Sequence, residues 1–162
     1  MENPWGNIWR FIGGVIVNGN GSMGGGIPYI CNNFSYTPST LGENYISIGF
    51  NLPINNAYVS AMGYGNENYD WVYMPAECGE SANSAAPIGD IIWTVNNLSG
   101  NRIALAGGMW SSGVSSGPFY YGCDNTAAEG SYNSYSARLM YIPTKNNIYD
   151  ANYQKWLLKT KE

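Results

Sequence analysis

The chain is 162 residues long, with 44% hydrophobic and 15% aromatic residues, which is enough apolar material for one folded domain. Only 11% of the residues are charged and the formal net charge at pH 7 is −4, so a basic surface for nucleic acid is not expected. The absence of histidine excludes triad hydrolases, imidazole proton shuttles and His-ligated zinc sites built by this chain alone. No apolar run reaches the roughly 18 residues of a membrane span, and no signal peptide is expected at the N-terminus.

The first predicted element is a short N-terminal helix. Asn3 can cap it, Pro4 suits its first turn, and Gly13-Gly14 would end it. The apolar residues that repeat at helical spacing within it are Trp5, Ile8, Trp9 and Ile12.

Short apolar and β-branched runs after this helix predict seven or eight strands. Residues 15–17 lead into the Asn18-Gly19 turn and a glycine-rich loop, and residues 27–31 return as a strand. The further short runs are residues 45–50, 58–62, 70–74, 91–95, 103–105, 119–121 and 138–142. Long polar loops separate these runs, and long ordered loops in a compact domain commonly carry the function. The pattern predicts an α+β domain.

The composition changes after Pro143. Four of the seven basic residues are lysines in the last 18 positions, and Asn147 can cap a helix there. The apolar residues on one face of this helix would be Tyr149, Tyr153, Trp156 and Leu157. We therefore expect residues 1–143 to form the domain and residues 144–162 an amphipathic helical extension. Its apolar face would pack on its own domain or on a partner chain.

The cysteines Cys31, Cys78 and Cys123 are widely spaced and include no C-x-x-C pair. Because three is an odd number, they cannot form a complete disulfide framework. Reduced, buried thiols are the expectation, and a Cys31–Cys78 bridge is the alternative.

Two motifs resemble catalytic signatures but lack the context that their chemistry needs. Residues 19–24 match G-x-G-x-x-G, yet glycines and a proline follow where a phosphate site needs a helix N-terminus. Residues 113–117 match G-x-S-x-G, but no histidine exists to deprotonate Ser115. The loop acids Asp124 and Glu129 are expected to be solvated, with a calcium site as the alternative. We expect no enzyme activity, no cofactor and no metal.

The segment 102–142 carries the most information about function. A skeleton of glycine and apolar residues alternates in it with Ser, Tyr, Asn, Asp and Cys. Tyrosine offers a large rigid contact area at low entropic cost, and the small polar residues offer adaptable hydrogen bonds. This composition is typical of a binding surface, although a solvated loop rich in small residues would have it too. The skeleton consists of Gly107, Gly108, Trp110, Gly113, Gly117, Phe119 and Ala137-Arg138-Leu139.

This skeleton resembles the variable region of proteins that are diversified by diversity-generating retroelements, such as the phage major tropism determinant. The opening ENPWGNIWRFI of residues 2–12 and the IGDIIW of residues 88–93 are similar to segments of gut bacteriophage tail proteins. The resemblance implies a C-type-lectin-like fold of the formylglycine-generating-enzyme type, with short strands, about two helices and long ordered loops. The copper-dependent activity of the enzymes with that fold is not implied, because this chain lacks their closely spaced cysteines.

The resemblance places a hypervariable, ligand-binding face at about residues 107–136. Its members would be Met109, Ser111, Ser112, Ser115, Ser116, Tyr120, Tyr121, Cys123, Asp124, Ser131, Tyr132, Asn133, Ser134 and Tyr135. Six of them should project together to solvent, and these are Ser111, Ser112, Tyr121, Asp124, Tyr132 and Tyr135.

The function that follows is a receptor- or ligand-binding domain of a phage tail or of a protein displayed on the bacterial surface. Its partner would be a host-cell protein or glycan, and the C-terminal helix could contact other tail proteins. Neither nucleic acid nor membrane insertion is expected. The alternative is a purely structural virion domain that contacts only other virion chains, and a degenerate enzyme of the same fold is a third hypothesis.

Large aromatic anchors are expected in the core, because short strands and long loops need them. The anchors are Trp5, Trp9, Trp93 and Phe119, and removal of Trp93 should cost roughly 3 to 5 kcal/mol. Arg138 is expected to be at least half-buried and paired with Asp90.

Overall fold

The computed structural model describes residues 5–21, 25–33, 36–37, 39–67, 69–84, 86–95, 98–127 and 135–136. Within these residues the chain forms nine β-strands and one 3-10 turn, Gly113–Ser115. The strands are β1 (Trp9–Asn20), β2 (Ile27–Cys31), β3 (Tyr45–Ser47), β4 (Ala57–Tyr64), β5 (Tyr73–Gly79), β6 (Ile91–Trp93), β7 (Ser99–Ala106), β8 (Tyr121–Gly122) and β9 (Tyr135–Ser136).

The strands belong to one curled sheet with the order β3-β2-β1-β7-β8-β6-β4-β5, and β9 pairs with β1 outside this path. All pairs are antiparallel except β6 with β8 and β1 with β9. The described residues contain no α-helix. The expected α+β class with a C-type-lectin-like fold is therefore wrong, and the regular secondary structure of this part of the chain is mostly β-sheet.

The expected N-terminal helix is replaced by β1. Phe11 pairs with Leu105 and Ile16 pairs with Ile103, so five residue steps along β1 span only two along β7. This large bulge contains Gly13 and Gly14, and Gly14 has a φ of 79°, which a side chain would oppose. The helix-like spacing of Trp5, Ile8, Trp9 and Ile12 lies before Gly13, and Trp9 and Ile12 belong to β1 instead of a helix.

Most other strand predictions are confirmed. Val17 and Asn18 of β1 pair with β2 as an antiparallel hairpin, and five further predicted runs overlap β3, β4, β6, β7 and β8. The run at 70–74 overlaps only the start of β5, which continues through Pro75 to Gly79. Pro75 lies opposite Met62, where the register is irregular, so its missing N–H fits a bulge. The run at 138–142 and the extension 144–162 lie outside the described residues.

Two hydrophobic clusters pack against the sheet, one on each face, because side chains alternate along a strand. On β7, Ala104 belongs to one cluster, whereas Ile103 and Leu105 belong to the other. The first core cluster contains Val17, Ile30, Ile48, Leu52, Val59, Val72, Met74, Ile92, Val95, Ala104, Tyr121 and Cys123. The second core cluster contains Trp9, Ile103, Leu105 and Tyr120.

The predicted aromatic anchors behave differently from one another. Trp9 is buried, as expected, and Phe119 is partly buried. Trp5 and Trp93 are 45% and 40% exposed, so their predicted burial is wrong. Trp93 stands next to Tyr120 and donates its Nε1–H to the Tyr120 hydroxyl at 2.8 Å, which fixes the indole without enclosing it. Arg138 lies outside the described residues.

The cysteines are not joined as Cys31–Cys78. Cys78 and Cys123 are free thiols, and the Cys78 Sγ donates to the Asn55 carbonyl oxygen at 3.3 Å. Cys31 lies on β2 and Cys78 on β5, which stand near opposite ends of the sheet order. Only Cys123 is fully buried, whereas the other two are partly exposed, so the expectation of buried thiols is confirmed for Cys123 alone.

Candidate recognition surface

The segment that connects β7 to β8, residues 107–120, forms a loop that is closed at its base, and we call it the recognition loop. The Gly107 N–H donates to the Tyr120 carbonyl at 2.9 Å, which joins the two ends of the loop. Gly6 and Asn7, which precede β1, make two further backbone hydrogen bonds to the recognition loop. The Gly6 N–H donates to the Gly107 carbonyl at 2.7 Å, and the Trp110 N–H donates to the Asn7 carbonyl at 2.9 Å. These hydrogen bonds fix where the loop leaves the sheet.

The returning half of the loop is pinned by Asp90, which directly precedes β6. The Asp90 Oδ2 accepts the Phe119 N–H at 2.7 Å, and the carboxyl group is buried, with 8% of the residue exposed. Burial raises the pKa of this carboxyl group, and the hydrogen bond from Phe119 opposes that rise. Gly117 passes so close that a Cβ there would overlap both carboxylate oxygens. Only glycine fits this position without displacing Asp90.

The middle of the loop is a pair of tight turns. The Ser112 N–H donates to the Met109 carbonyl at 2.9 Å, and the Ser112 Oγ accepts the Met109 N–H at 3.2 Å in return. The 3-10 turn follows, with the Ser115 N–H donating to the Ser112 carbonyl at 3.3 Å. Ser112 therefore holds the loop's conformation, and its hydroxyl faces the backbone.

The tip of the loop exposes apolar side chains outside the set of binding residues predicted from the sequence. Trp110 is 77% exposed and Val114 is 95% exposed, and both stand on the ordered turns just described. Trp5 is exposed as well, on the segment that supports the loop through Gly6 and Asn7. The available signal was the local sequence: Val114 stands between Gly113 and Ser115, and two serines and a glycine follow Trp110, without the alternation that would place either residue in a strand.

Three of the predicted binding residues lie in the core. Tyr120 packs on Trp9, with ring centroids 4.7 Å apart, in the second core cluster. Tyr121 is only 9% exposed and burial raises its pKa to about 12, so the prediction that it projects to solvent is wrong. Cys123 is fully buried, and burial also raises the pKa of its thiol. These residues sit at and just after the loop's return to the sheet, where alternation directs them into the two clusters.

The other predicted residues are spread along the loop and beyond it. Ser111 is exposed, whereas Met109, Ser115 and Ser116 are partly buried. The Ser116 Oγ is buried and has no hydrogen-bond partner.

Farther along the chain, Asp124 is partly buried and accepts the Asn125 side-chain amide at 2.9 Å, while its carbonyl accepts Arg102 Nη1 at 3.2 Å. Tyr135 is partly buried and stands edge-on to Phe11, with ring centroids 5.9 Å apart. Its side chain is therefore neither fully exposed nor fully buried. Ser131, Tyr132, Asn133 and Ser134 lie outside the described residues, as does Glu129.

No protein-family model, curated protein or solved structure matches this chain. Across the described ranges, no three acidic or cysteine side chains come together as a metal site would require. Nor does that part of the chain contain a helix with the length and hydropathy to cross a membrane.

Proposed function

We propose that this chain is a ligand-binding domain of a phage tail or of a protein displayed on the bacterial surface, and that its recognition loop contacts a host-cell protein or glycan. The observation that carries the proposal is the exposure of Trp110 and Val114 on a loop whose backbone is held by hydrogen bonds at its base and to the segment before β1. Exposed apolar side chains cost solvation free energy, and contiguous ones mark interaction sites.

The fixed backbone supports binding in a second way. A loop that is already ordered by Asp90, Asn7 and its own turns loses little conformational entropy when a ligand arrives. Tryptophan is among the residues that most often dominate the energy of an interface. Exposed Ser111 beside Trp110 adds a small, adaptable hydrogen-bonding group.

The alternative of a structural virion domain is favoured by a different observation. Tyr121 is part of the core and Tyr135 is partly covered by Phe11, so two tyrosines expected on a variable face contribute to folding. An exposed loop with Trp110 would then contact another virion chain. The proposed relationship to retroelement-diversified proteins rests on the sequence resemblance alone. A template copy of residues 105–140 with adenine mismatches, beside a reverse transcriptase gene, would support it.

Binding of the labelled chain to a panel of gut bacterial isolates, measured by flow cytometry, tests the proposal. A Trp110→Ala/Val114→Ser double variant should bind a recognised isolate about 30-fold more weakly or worse, as expected when a hot spot worth about 2 kcal/mol is lost. Ile54→Ser is the matched control, because Ile54 is an exposed apolar residue outside the loop. Full binding by the double variant would overturn the proposal. Binding to no isolate, with capture of tail proteins instead, would establish the structural alternative.

A further inference from the structure

The turn between β4 and β5 carries a second set of exposed aromatic side chains. Trp71 is 69% exposed and Tyr64 is 68% exposed, and Tyr73, directly opposite Tyr64 across the two strands, is exposed as well. Tyr69 stands beside Trp71, with ring centroids 6.3 Å apart. We call Tyr64, Tyr69, Trp71 and Tyr73 the tip cluster.

The backbone beneath the tip cluster is closed by hydrogen bonds. Two consecutive β-turns form it: the Tyr69 N–H donates to the Asn66 carbonyl at 2.7 Å, and the Val72 N–H donates to the Tyr69 carbonyl at 2.9 Å. The Gly65 N–H then donates to the Val72 carbonyl at 2.9 Å, and Val72 is buried in the first core cluster. The aromatic rings thus stand on a frame anchored in the core.

Asn66 ties the same frame to a neighbouring part of the fold. Its N–H donates to the Ile48 carbonyl at 3.1 Å and its side-chain amide donates to the Ser47 carbonyl at 3.2 Å. Four of these five hydrogen bonds therefore join two backbone groups, and none of the five uses a side chain of the four aromatic residues. Tyr64, Trp71 and Tyr73 are exposed, whereas Tyr69 is partly buried and packs against the first core cluster.

Acidic side chains accompany these rings. Glu67 and Asp70 each occupy the second position of one of the two turns, and both are exposed. Residues 57–79 contain Glu67, Asp70 and Glu77 but no lysine or arginine. The tip therefore combines aromatic faces with negative charge. Both features attract a cation, because the face of an aromatic ring is electron-rich and carboxylates add a Coulombic attraction.

We propose that the tip cluster binds an alkylated ammonium group, such as the trimethylammonium head of a choline derivative. Methyl groups make this cation apolar enough to lie on Trp71 and the tyrosines, while its charge complements Glu67 and Asp70. A lysine ammonium is more strongly hydrated and loses more on leaving water. A neutral sugar could stack on the rings and donate hydroxyl hydrogen bonds to the two carboxylates, but it carries no positive charge to complement them.

The tip cluster adjoins the recognition loop without being part of it. Tyr73 stands edge-on to Phe119, with ring centroids 6.1 Å apart, and Phe119 is the residue whose N–H bonds to Asp90. The inference is nevertheless independent of the proposed function. It depends on β4, β5 and their turn, so it can fail while the recognition loop still binds a host cell.

Titration with choline, followed by the indole N–H resonances of the six tryptophans in a ¹H–¹⁵N spectrum, tests the proposal. The neutral probe is 3,3-dimethyl-1-butanol, which has the shape of choline without its charge. Choline should shift the Trp71 resonance with saturation in the millimolar range, and the neutral probe should bind at least about 10-fold more weakly.

Variants separate the two components of the site. Trp71→Leu should weaken choline binding about 10-fold, and Glu67→Gln with Asp70→Asn should weaken it several-fold and remove its salt dependence. The matched control is Trp110→Leu, since Trp110 is also highly exposed but lies on the recognition loop. Unchanged thermal melting would show that the variants are folded.

Three results would overturn the proposal: equal binding of choline and the neutral probe, no saturable shift of Trp71 up to about 100 mM choline, or loss of binding in Trp110→Leu. A saturable shift of Trp71 by methyl glucoside, with none by choline, would likewise overturn it and assign the rings to a carbohydrate.

Discussion

The Asp90 carboxylate accepts the backbone N–H of Phe119 at 2.7 Å, and this contact couples the sheet to the recognition loop. The carbonyl of Asp90 also accepts the Val59 N–H at 2.9 Å, so the residue is tied to β4 by its main chain and to the loop by its side chain. Burial of a carboxylate raises the free energy of the folded state unless hydrogen bonds replace its lost hydration. Its replacement should consequently affect both stability and loop geometry.

Asp90→Ala should lower the free energy of unfolding by about 1–3 kcal/mol, because it leaves the Phe119 N–H without its acceptor. Asp90→Asn is the matched control, since its side-chain carbonyl can accept the same hydrogen bond, and it should stay within about 1 kcal/mol of the wild type. Urea denaturation of the three proteins measures both differences. Equal destabilisation by the two substitutions would show that this hydrogen bond has no special role.

The raised pKa of Asp90 predicts a pH dependence of stability. Burial raises this pKa above the ordinary 3.8, so the folded protein binds a proton more tightly than the unfolded chain does. The stabilising contribution of protonation is complete below about pH 3.8 and is lost as the pH rises through the raised value. The free energy of unfolding of the wild type, relative to Asp90→Asn, should therefore increase on acidification from pH 7. A constant difference across this range would contradict the prediction.

Gly117 should tolerate no side chain. In Gly117→Ala the added Cβ would overlap both oxygens of Asp90, so the loop or the carboxylate has to shift, at a cost of about 1–3 kcal/mol. Gly42→Ala is the control, since a Cβ at Gly42 would meet no atom within 4 Å, and its effect should be below about 1 kcal/mol. Thermal unfolding of both variants gives the comparison, and equal melting temperatures would refute the close approach.

The two tryptophans that contact Tyr120 should differ sharply in their contribution to stability. Trp9 is buried against the Tyr120 ring, so Trp9→Ala should cost about 3–5 kcal/mol. Trp93 is partly exposed and contributes one hydrogen bond to the Tyr120 hydroxyl, so Trp93→Phe should cost only about 0.5–1.5 kcal/mol. Chemical denaturation would rank them, and the reverse order would contradict the assignment of Trp9 to the core.

Local patterns located most strands but could not locate the bulge or the exposed surface. The β-branched run at residues 15–17 and the run at 27–31 form strands, as their propensity indicates, but Asn18 and Gly19 continue β1 and the turn predicted there is wrong. The bulge at Gly13-Gly14 depends on β7, a partner far away in the sequence, and the helical spacing of the residues before it was misleading. An apolar residue is usually expected to be buried. The exposure of Trp110 depends on the contact of the recognition loop with Asn7, which no local sequence pattern predicts.

The candidate site was predictable as a region but not residue by residue. Alternation places adjacent Tyr120 and Tyr121 in opposite clusters of the core, where composition alone suggested a binding surface. The sequence indicates Asp90 only as the candidate partner of Arg138, which lies outside the described residues, and the structure shows that Asp90 is buried. The hydrogen-bond donor to its carboxylate in the described residues is the Phe119 N–H, and a backbone donor cannot be predicted from residue type.

Cys78 and Cys123 should react very differently with iodoacetamide. Cys123 is fully buried and Cys78 is partly exposed, and burial raises the pKa of both thiols. Alkylation of Cys123 requires opening of the core, so its rate in the folded protein should be lower than that of Cys78 by about a thousand-fold or more. Mass spectrometry of peptides from briefly labelled protein measures the ratio, and labelling in urea is the control, where the two thiols should react equally. Similar rates in the folded protein would place Cys123 at the surface and contradict its position in the first core cluster.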